Sequence, residues 1–182
     1  MTTHQRPILE PTTQAFIDAL NAKGAKPLYE LSYGAARNML EDAQAGNVKT
    51  LPADVESLSQ RSYEEFANGP WLTTAAMEWF WDAYAPNKAD RRKTTAAPLT
   101  ATTEQLKGLP PALVIVDEND PLRDEGEAYA RKLIQSGVDV TAVRVLATVH
   151  DFAMLNALAG TPAARVAIQL AAQKLEEALG RR

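Results

Sequence analysis

Apolar residues recur along this 182-residue chain with two different periods. The amino-terminal part carries the helical one. Phe16, Ala19 and Leu20 share a face behind Pro11-Thr12-Thr13, which can cap a helix that Gly24 ends. Ser32 can cap a second helix, with Ala36, Met39, Leu40 and Ala43 inward and Gly46 beyond its end. Thr50 to Gln60, with Pro52 and several small polar residues, reads as a loop. A third helix is predicted after Leu72-Thr73-Thr74, with Met77, Phe80, Trp81 and Tyr84 at helical spacing and Pro86 past its end. Lys88 to Leu109 is polar, rich in Thr and Ala, and reads as a long connection.

The pattern then changes. Ala112-Leu113-Val114-Ile115-Val116 is apolar without alternation, which suits a parallel strand covered on both faces. Leu122, Tyr129 and Leu133 mark a helix that Gly137 closes. Val138, Val140 and Ala142 then alternate with Asp139, Thr141 and Val143 in a second strand running to about Leu146, and alternation suggests an edge or a half-exposed face. Thr161-Pro162 is a cap with proline at the first helical position, and Val166, Leu170 and Leu175 are expected inward along a last helix up to Gly180. The fold class is α/β, with helices first and a strand–helix–strand–helix unit of a parallel sheet after them.

Composition narrows the partners. At 46% apolar and 23% charged residues the chain is globular in type, and a compact chain of this size buries roughly two thirds of its unfolded surface. No cysteine is present, so disulfides and thiolate chemistry are excluded, and a cytoplasmic location is expected. No run reaches membrane-spanning length. A net charge of -4 without a basic face argues against nucleic acid, and Arg91-Arg92-Lys93 reads as a solvated loop.

Chemistry is concentrated after the two strands. Parallel sheets place reactive groups at the carboxyl ends of their strands. Asp120 lies just past the first such end and His150 just past the second, so a carboxylate–imidazole hydrogen bond is expected. The other histidine, His4, is terminal, which leaves His150 as the base if there is one. A calcium loop beginning at Asp117 fails because Pro121 takes its fifth position, and no metal or cofactor is expected. Asp124 and Glu125 suit a helix start. The aromatic group Trp71, Trp79 and Phe80 is either a packing face or a lid over an apolar pocket.

Asp120-Pro121-Leu122-Arg123-Asp124-Glu125-Gly126, followed by a histidine 30 positions after its first aspartate, resembles the bacterial hormone-sensitive-lipase-like family of α/β-hydrolases. That resemblance implies carboxylesterase chemistry on short acyl esters, with Asp120 and His150 as triad members and a small-molecule ester as substrate. Asp151 stands where the family usually has glycine. Phe16-Ile17-Asp18-Ala19-Leu20 and Pro27-Leu28-Tyr29-Glu30-Leu31-Ser32 resemble the family's amino-terminal cap helices, and residues 62–73 resemble its inserted cap.

Two of the family's motifs have no counterpart. None of the nine glycines forms Gly-x-Ser-x-Gly, and no Gly-Gly pair occurs for the oxyanion motif. Residues 1–57 read as amino-terminal cap helices, 58–61 as a junction where a central sheet segment is missing, 62–109 as cap and connection, and 110–182 as the carboxyl-terminal α/β part. The expected architecture is a partial α/β-hydrolase fold. Ser57, Ser59 and Ser62 are the serines near the junction, and nothing around them suggests a strained elbow. A two-stranded unit leaves open edges. The expectation is therefore a homodimer through Val138 to Leu146, or a complement that supplies further strands. An inactive remnant serving as an interaction module is the alternative to an esterase.

Overall fold

The computed structural model describes residues 8–24, 26, 30–32, 35 and 60–180. Ser57, Ser59, most of the second expected helix and most of the 50–60 loop lie outside these. Of that helix Ser32 and Ala35 are described, and the Ala35 N–H donates to Ser32 Oγ at 3.3 Å, as an N-cap would.

Helix α1 spans Pro11–Ala22. Its cap is Glu10 rather than the threonines: the Glu10 carboxylate accepts the N–H groups of Thr12 and Thr13, both at 3.1 Å, and Pro11 starts the helix. Its inward face is Thr13, Phe16, Ile17 and Leu20, while Ala19 is exposed. Helix α2 (Arg61–Glu65) leads to α3 (Thr74–Tyr84), whose Thr73 cap accepts the Ala76 N–H at 3.0 Å. Met77 and Trp81 of α3 join Tyr63 and Leu72 in one core cluster.

The long connection from Lys88 to Leu109 is folded. It holds two 3-10 turns, Asp90–Arg92 and Pro98–Thr100, and helix α4 (Thr103–Leu106) with a Thr102–Gln105 capping box. Arg91 is buried, a correction to the solvated-loop expectation. Its Nε donates to the Ala85 carbonyl at 2.6 Å, its terminal nitrogen to Asp82 at 2.7 Å, and the guanidinium faces Trp81. Those bonds satisfy the end of α3, which explains why this charge leaves water and its neighbours do not.

Strand β1 (Ala112–Asn119) runs past its apolar stretch into the acidic residues, and β2 spans Val140–Val149. They pair in parallel as a two-stranded sheet, joined by α5 (Arg123–Gln135). The residues from Ala112 to Val116 are only half-buried, less than the two-sided cover their composition suggests. Gly126 lets α5 approach closely, since a Cβ there would lie 2.6 Å from Val116 Cγ1. Helix α6 (Pro162–Ala178) has the expected Thr161 cap and Pro162 start, but its buried face is Ala164 and Ala167, with Val166 52% and Leu175 62% exposed. Small residues allow the closer approach to Val149 and Phe152, and this outweighs the larger side chains on the opposite face.

Candidate active site at the ends of two parallel strands

Parallel pairing sets the carboxyl ends of β1 and β2 side by side, so the loops leaving them share one space. The register is regular up to Asp117 opposite Val145, and the next pair is Asn119 with Val149. A regular continuation would place Asp120 opposite Thr148; the slip brings His150 there instead. Ala147 takes left-handed backbone inside the slip, φ 61°. Its N–H, displaced from the ladder, donates to the Glu118 carboxylate at 2.7 Å. Asn119 is buried, and its amide donates to the carbonyls of Thr148 at 3.0 Å and Ile8 at 3.2 Å.

The loop carrying Asp120 is held by its own turn and by Arg123. Asp120 Oδ1 accepts the Leu122 N–H at 2.8 Å, the bond by which Asp favours turns. Arg123 donates to Asp124, Glu65 and the Glu118 carbonyl at 2.8, 2.8 and 3.0 Å. Burial works against the Arg123 charge, but the hydrogen bonds to Asp124 and Glu65 outweigh it and raise the pKa above its ordinary value.

Asp120 Oδ2 lies 2.9 Å from His150 Nδ1. In neutral imidazole this contact selects the tautomer with the proton on Nδ1 and the lone pair on Nε2. On the other side of the ring, Asp151 Oδ1 is 3.5 Å from Nε2. Asp117 stands beside Asp120. Burial first, then the charge of Asp120, push its carboxyl well above the usual range, with His150 acting the opposite way. Burial disfavours the charged form of His150 as well. The charge and hydrogen bond of Asp120, with Asp151 and Asp117, outweigh that and raise its pKa from 6.5 to about 10. Ligand-type atoms of Asp117, Asp120 and His150 fall within 4.8 Å of one another. The Asp120–His150 hydrogen bond holds two of them together, and an imidazolium has no lone pair for a cation.

A cavity of about 600 Å³ adjoins this pair, a size common for small-molecule sites. Leu99, Val114, Leu122, Tyr129 and Phe152 line it together with Asp120 and His150. Tyr84 is the residue of α3 on its wall; Trp71, Trp79 and Phe80 are not among the lining residues. Trp71 packs on Phe16, with ring centroids 5.4 Å apart, and Trp79 meets Phe80 edge to face at 5.2 Å. Ser62 is fully buried, and its hydroxyl donates to the Pro121 carbonyl at 2.5 Å while accepting the Asp124 N–H at 3.3 Å. It is a clamp on the start of α5. Sequence reading placed Asp120 and His150 but not Asp117 and Asp151 beside them. Their adjacency to the two strand ends was the available signal.

Known proteins resemble the chain in sequence and in fold. A putative alpha/beta hydrolase, R526, of Acanthamoeba polyphaga mimivirus is 41% identical over 125 residues, 69% of this chain and 36% of that protein. An esterase of Fusarium pseudograminearum is 37% identical over 115 residues, 63% of this chain and 36% of that protein. The chain thus spans about a third of the length of these curated relatives. Among solved structures, a thermostable esterase from Pseudomonas putida ECU1011 superposes with a TM-score of 0.81 at 27% identity, over 92% of this chain and 96% of that one. Of two fungal esterases from Rhizomucor miehei, the matching chain gives 0.61 at 43% identity over 68% of this chain and 37% of its own. A family profile described as alpha/beta hydrolase fold matches residues 30–154. The chain belongs to the hormone-sensitive-lipase-like family of α/β-hydrolases and carries part of its fold.

Proposed function

We propose that this chain supplies the acid and base of a carboxylic-ester hydrolase for short acyl esters. The observation that carries the reading is the 2.9 Å contact from Asp120 to His150 Nδ1 at two adjacent strand ends, beside an apolar cavity. Asp120 orients the ring and His150 is the general base. Through Nε2 it takes the proton of a serine hydroxyl as the oxygen bonds the ester carbonyl carbon. It then returns that proton to the alkoxide as the ester C–O bond breaks, and water cleaves the acyl-enzyme by the same path. The serine and the oxyanion donors come from outside the described residues, because the Ser62 hydroxyl is committed to Pro121.

The chain alone is expected to be nearly inactive. It has no recognisable serine elbow, and a histidine that holds its proton up to about pH 10 is a poor base at neutral pH. Assays with p-nitrophenyl acetate and butyrate, alongside labelling by a fluorophosphonate, test this. Background turnover without labelling is the expected result. Robust turnover abolished by His150→Ala would mean that the chain carries its own nucleophile.

A second reading is favoured by β1, whose interior-type residues Ala112 to Val116 stay half-buried. The sheet then accepts further strands, from a second copy of the chain or from a complementing polypeptide, and the remnant serves as an interaction module. The β2 edge, with Leu146 66% exposed, is one surface for a homodimer. Size exclusion with light scattering separates the cases: a stable monomer with a cooperative melt counts against this module.

A further inference from the structure

His150 faces a carboxylate at both ring nitrogens. Asp120 Oδ2 is 2.9 Å from Nδ1 and Asp151 Oδ1 is 3.5 Å from Nε2, and both carboxylates are buried. Asp151 reaches that place through its backbone. Its φ is 65°, a left-handed conformation that few residues other than glycine adopt and that Asn and Asp tolerate best. The turn is anchored, because the Asp151 carbonyl accepts the N–H groups of Met154 at 2.7 Å and Leu155 at 3.0 Å.

The two contacts select one protonation state. Neutral imidazole has a single N–H, so one nitrogen would present its lone pair to a carboxylate; only the imidazolium has an N–H on each side, the one on Nδ1 hydrogen-bonded to Asp120 and the one on Nε2 in a 3.5 Å ion pair with Asp151 that lacks hydrogen-bond geometry. The surroundings do not offset this. Asp117 from β1 stands beside Asp120, and Glu125 and Tyr129 of α5 and Tyr84 of α3 are the other titratable groups on the cavity wall. No lysine or arginine lines that cavity among the described residues.

We propose that Asp151 is a positioning residue that holds the nucleophile side of His150, keeping the ring as an ion-paired imidazolium until a hydroxyl displaces it from Nε2. This rests on the reading of His150 as the base. The free nitrogen of an acid–base pair is where the nucleophile's proton must arrive. In this chain a carboxylate already faces that nitrogen. The ring is thereby kept in place and kept from acting as a base; as the nucleophile arrives, the Nε2 proton passes to the Asp151 carboxylate, which leaves with it, and the freed lone pair on Nε2 accepts the hydroxyl proton.

The chain has two histidines, so a His4→Gln background isolates the His150 ring in an isotope-labelled sample. Nitrogen-15 spectra at pH 8 are expected to show both ring nitrogens protonated. In Asp151→Asn, which suits the left-handed backbone, His150 is expected to bind its proton at least about tenfold more weakly, one unit in the titration midpoint. Asp151→Glu should restore most of the loss. An unchanged midpoint in a folded Asp151→Asn chain overturns the proposal. So does a neutral ring at pH 8 in the parent chain, a measurement that needs no variant to fold. Neither readout depends on turnover. Background hydrolysis with the expected titration leaves this contact standing, whereas turnover with a neutral ring removes it and spares the esterase reading.

Discussion

The Glu118 carboxylate accepts the Ala147 N–H at 2.7 Å inside the register slip that sets His150, rather than Thr148, beside Asp120. A side chain of β1 thus completes the backbone of β2 at the point where the ladder fails. That bond helps to hold the backbone that carries His150 to Asp120.

Glu118→Ala should therefore lower stability by about 1 kcal/mol, the usual worth of such a bond, and loosen the Asp120–His150 contact. Glu118→Gln, which keeps an acceptor, should stay close to the parent. Ala147→Gly should be tolerated at φ 61°, whereas Ala147→Val places a β-branched residue in a region it avoids. Urea midpoints rank the four variants. A stable Ala147→Val chain would refute the left-handed bulge.

Asp120 performs two tasks that separate by mutation. Its Oδ1 accepts the Leu122 N–H and its Oδ2 meets His150. Asp120→Asn keeps an acceptor for the turn but removes the charge, so the His150 midpoint should fall from about 10 toward 6.5, and stability near neutral pH should fall with it. Asp120→Ala should lower the midpoint similarly and also cost about 1–2 kcal/mol for the lost turn bond. Equal melting of both variants would show that the turn bond contributes nothing.

Stability should decline on the alkaline side. His150 rises from 6.5 in the unfolded chain to about 10 in the folded one, so the folded state holds its proton more tightly between those values. Its contribution is complete below about pH 6.5 and is lost as pH climbs through 10. Asp117, raised in the same sense, acts in the same direction. Asp124 is lowered: burial opposes its charge, but the hydrogen bond from Arg123 prevails, so its contribution is lost below the usual carboxylate range. Urea midpoints at pH 6, 8 and 10 should fall in the parent chain and flatten in His150→Gln. Parallel slopes in the two proteins would assign the pH dependence elsewhere.

Ser62 should prove structural. Ser62→Ala leaves the Pro121 carbonyl without its donor and the Asp124 N–H without this acceptor, at about 1–3 kcal/mol in a buried setting. Any residual ester hydrolysis should persist. Loss of a fluorophosphonate label in this variant, with the fold intact, would make Ser62 a nucleophile.

Local chemistry made much of this fold legible in advance. Thr161-Pro162, Thr73 and Gly137 act through their immediate neighbours, so the helices they bound follow from short segments of chain. The apolar run from Ala112 and the alternation after Val138 likewise announced two strands, and the spacing of Asp120 and His150 past their ends announced the pair.

What the residue order left open was every choice between partners distant in the chain. Ser62 clamps a carbonyl 59 positions away, Arg91 is drawn inward by a helix end and an indole, and α6 turns its alanines rather than its leucines to the core. The order of residues named an aspartate and a histidine for the site. Only the folded chain could set the slip that joins them and the second carboxylate at Nε2. Both arise from backbone conformations, at Ala147 and Asp151, that those residues adopt only where the surrounding contacts outweigh the local preference.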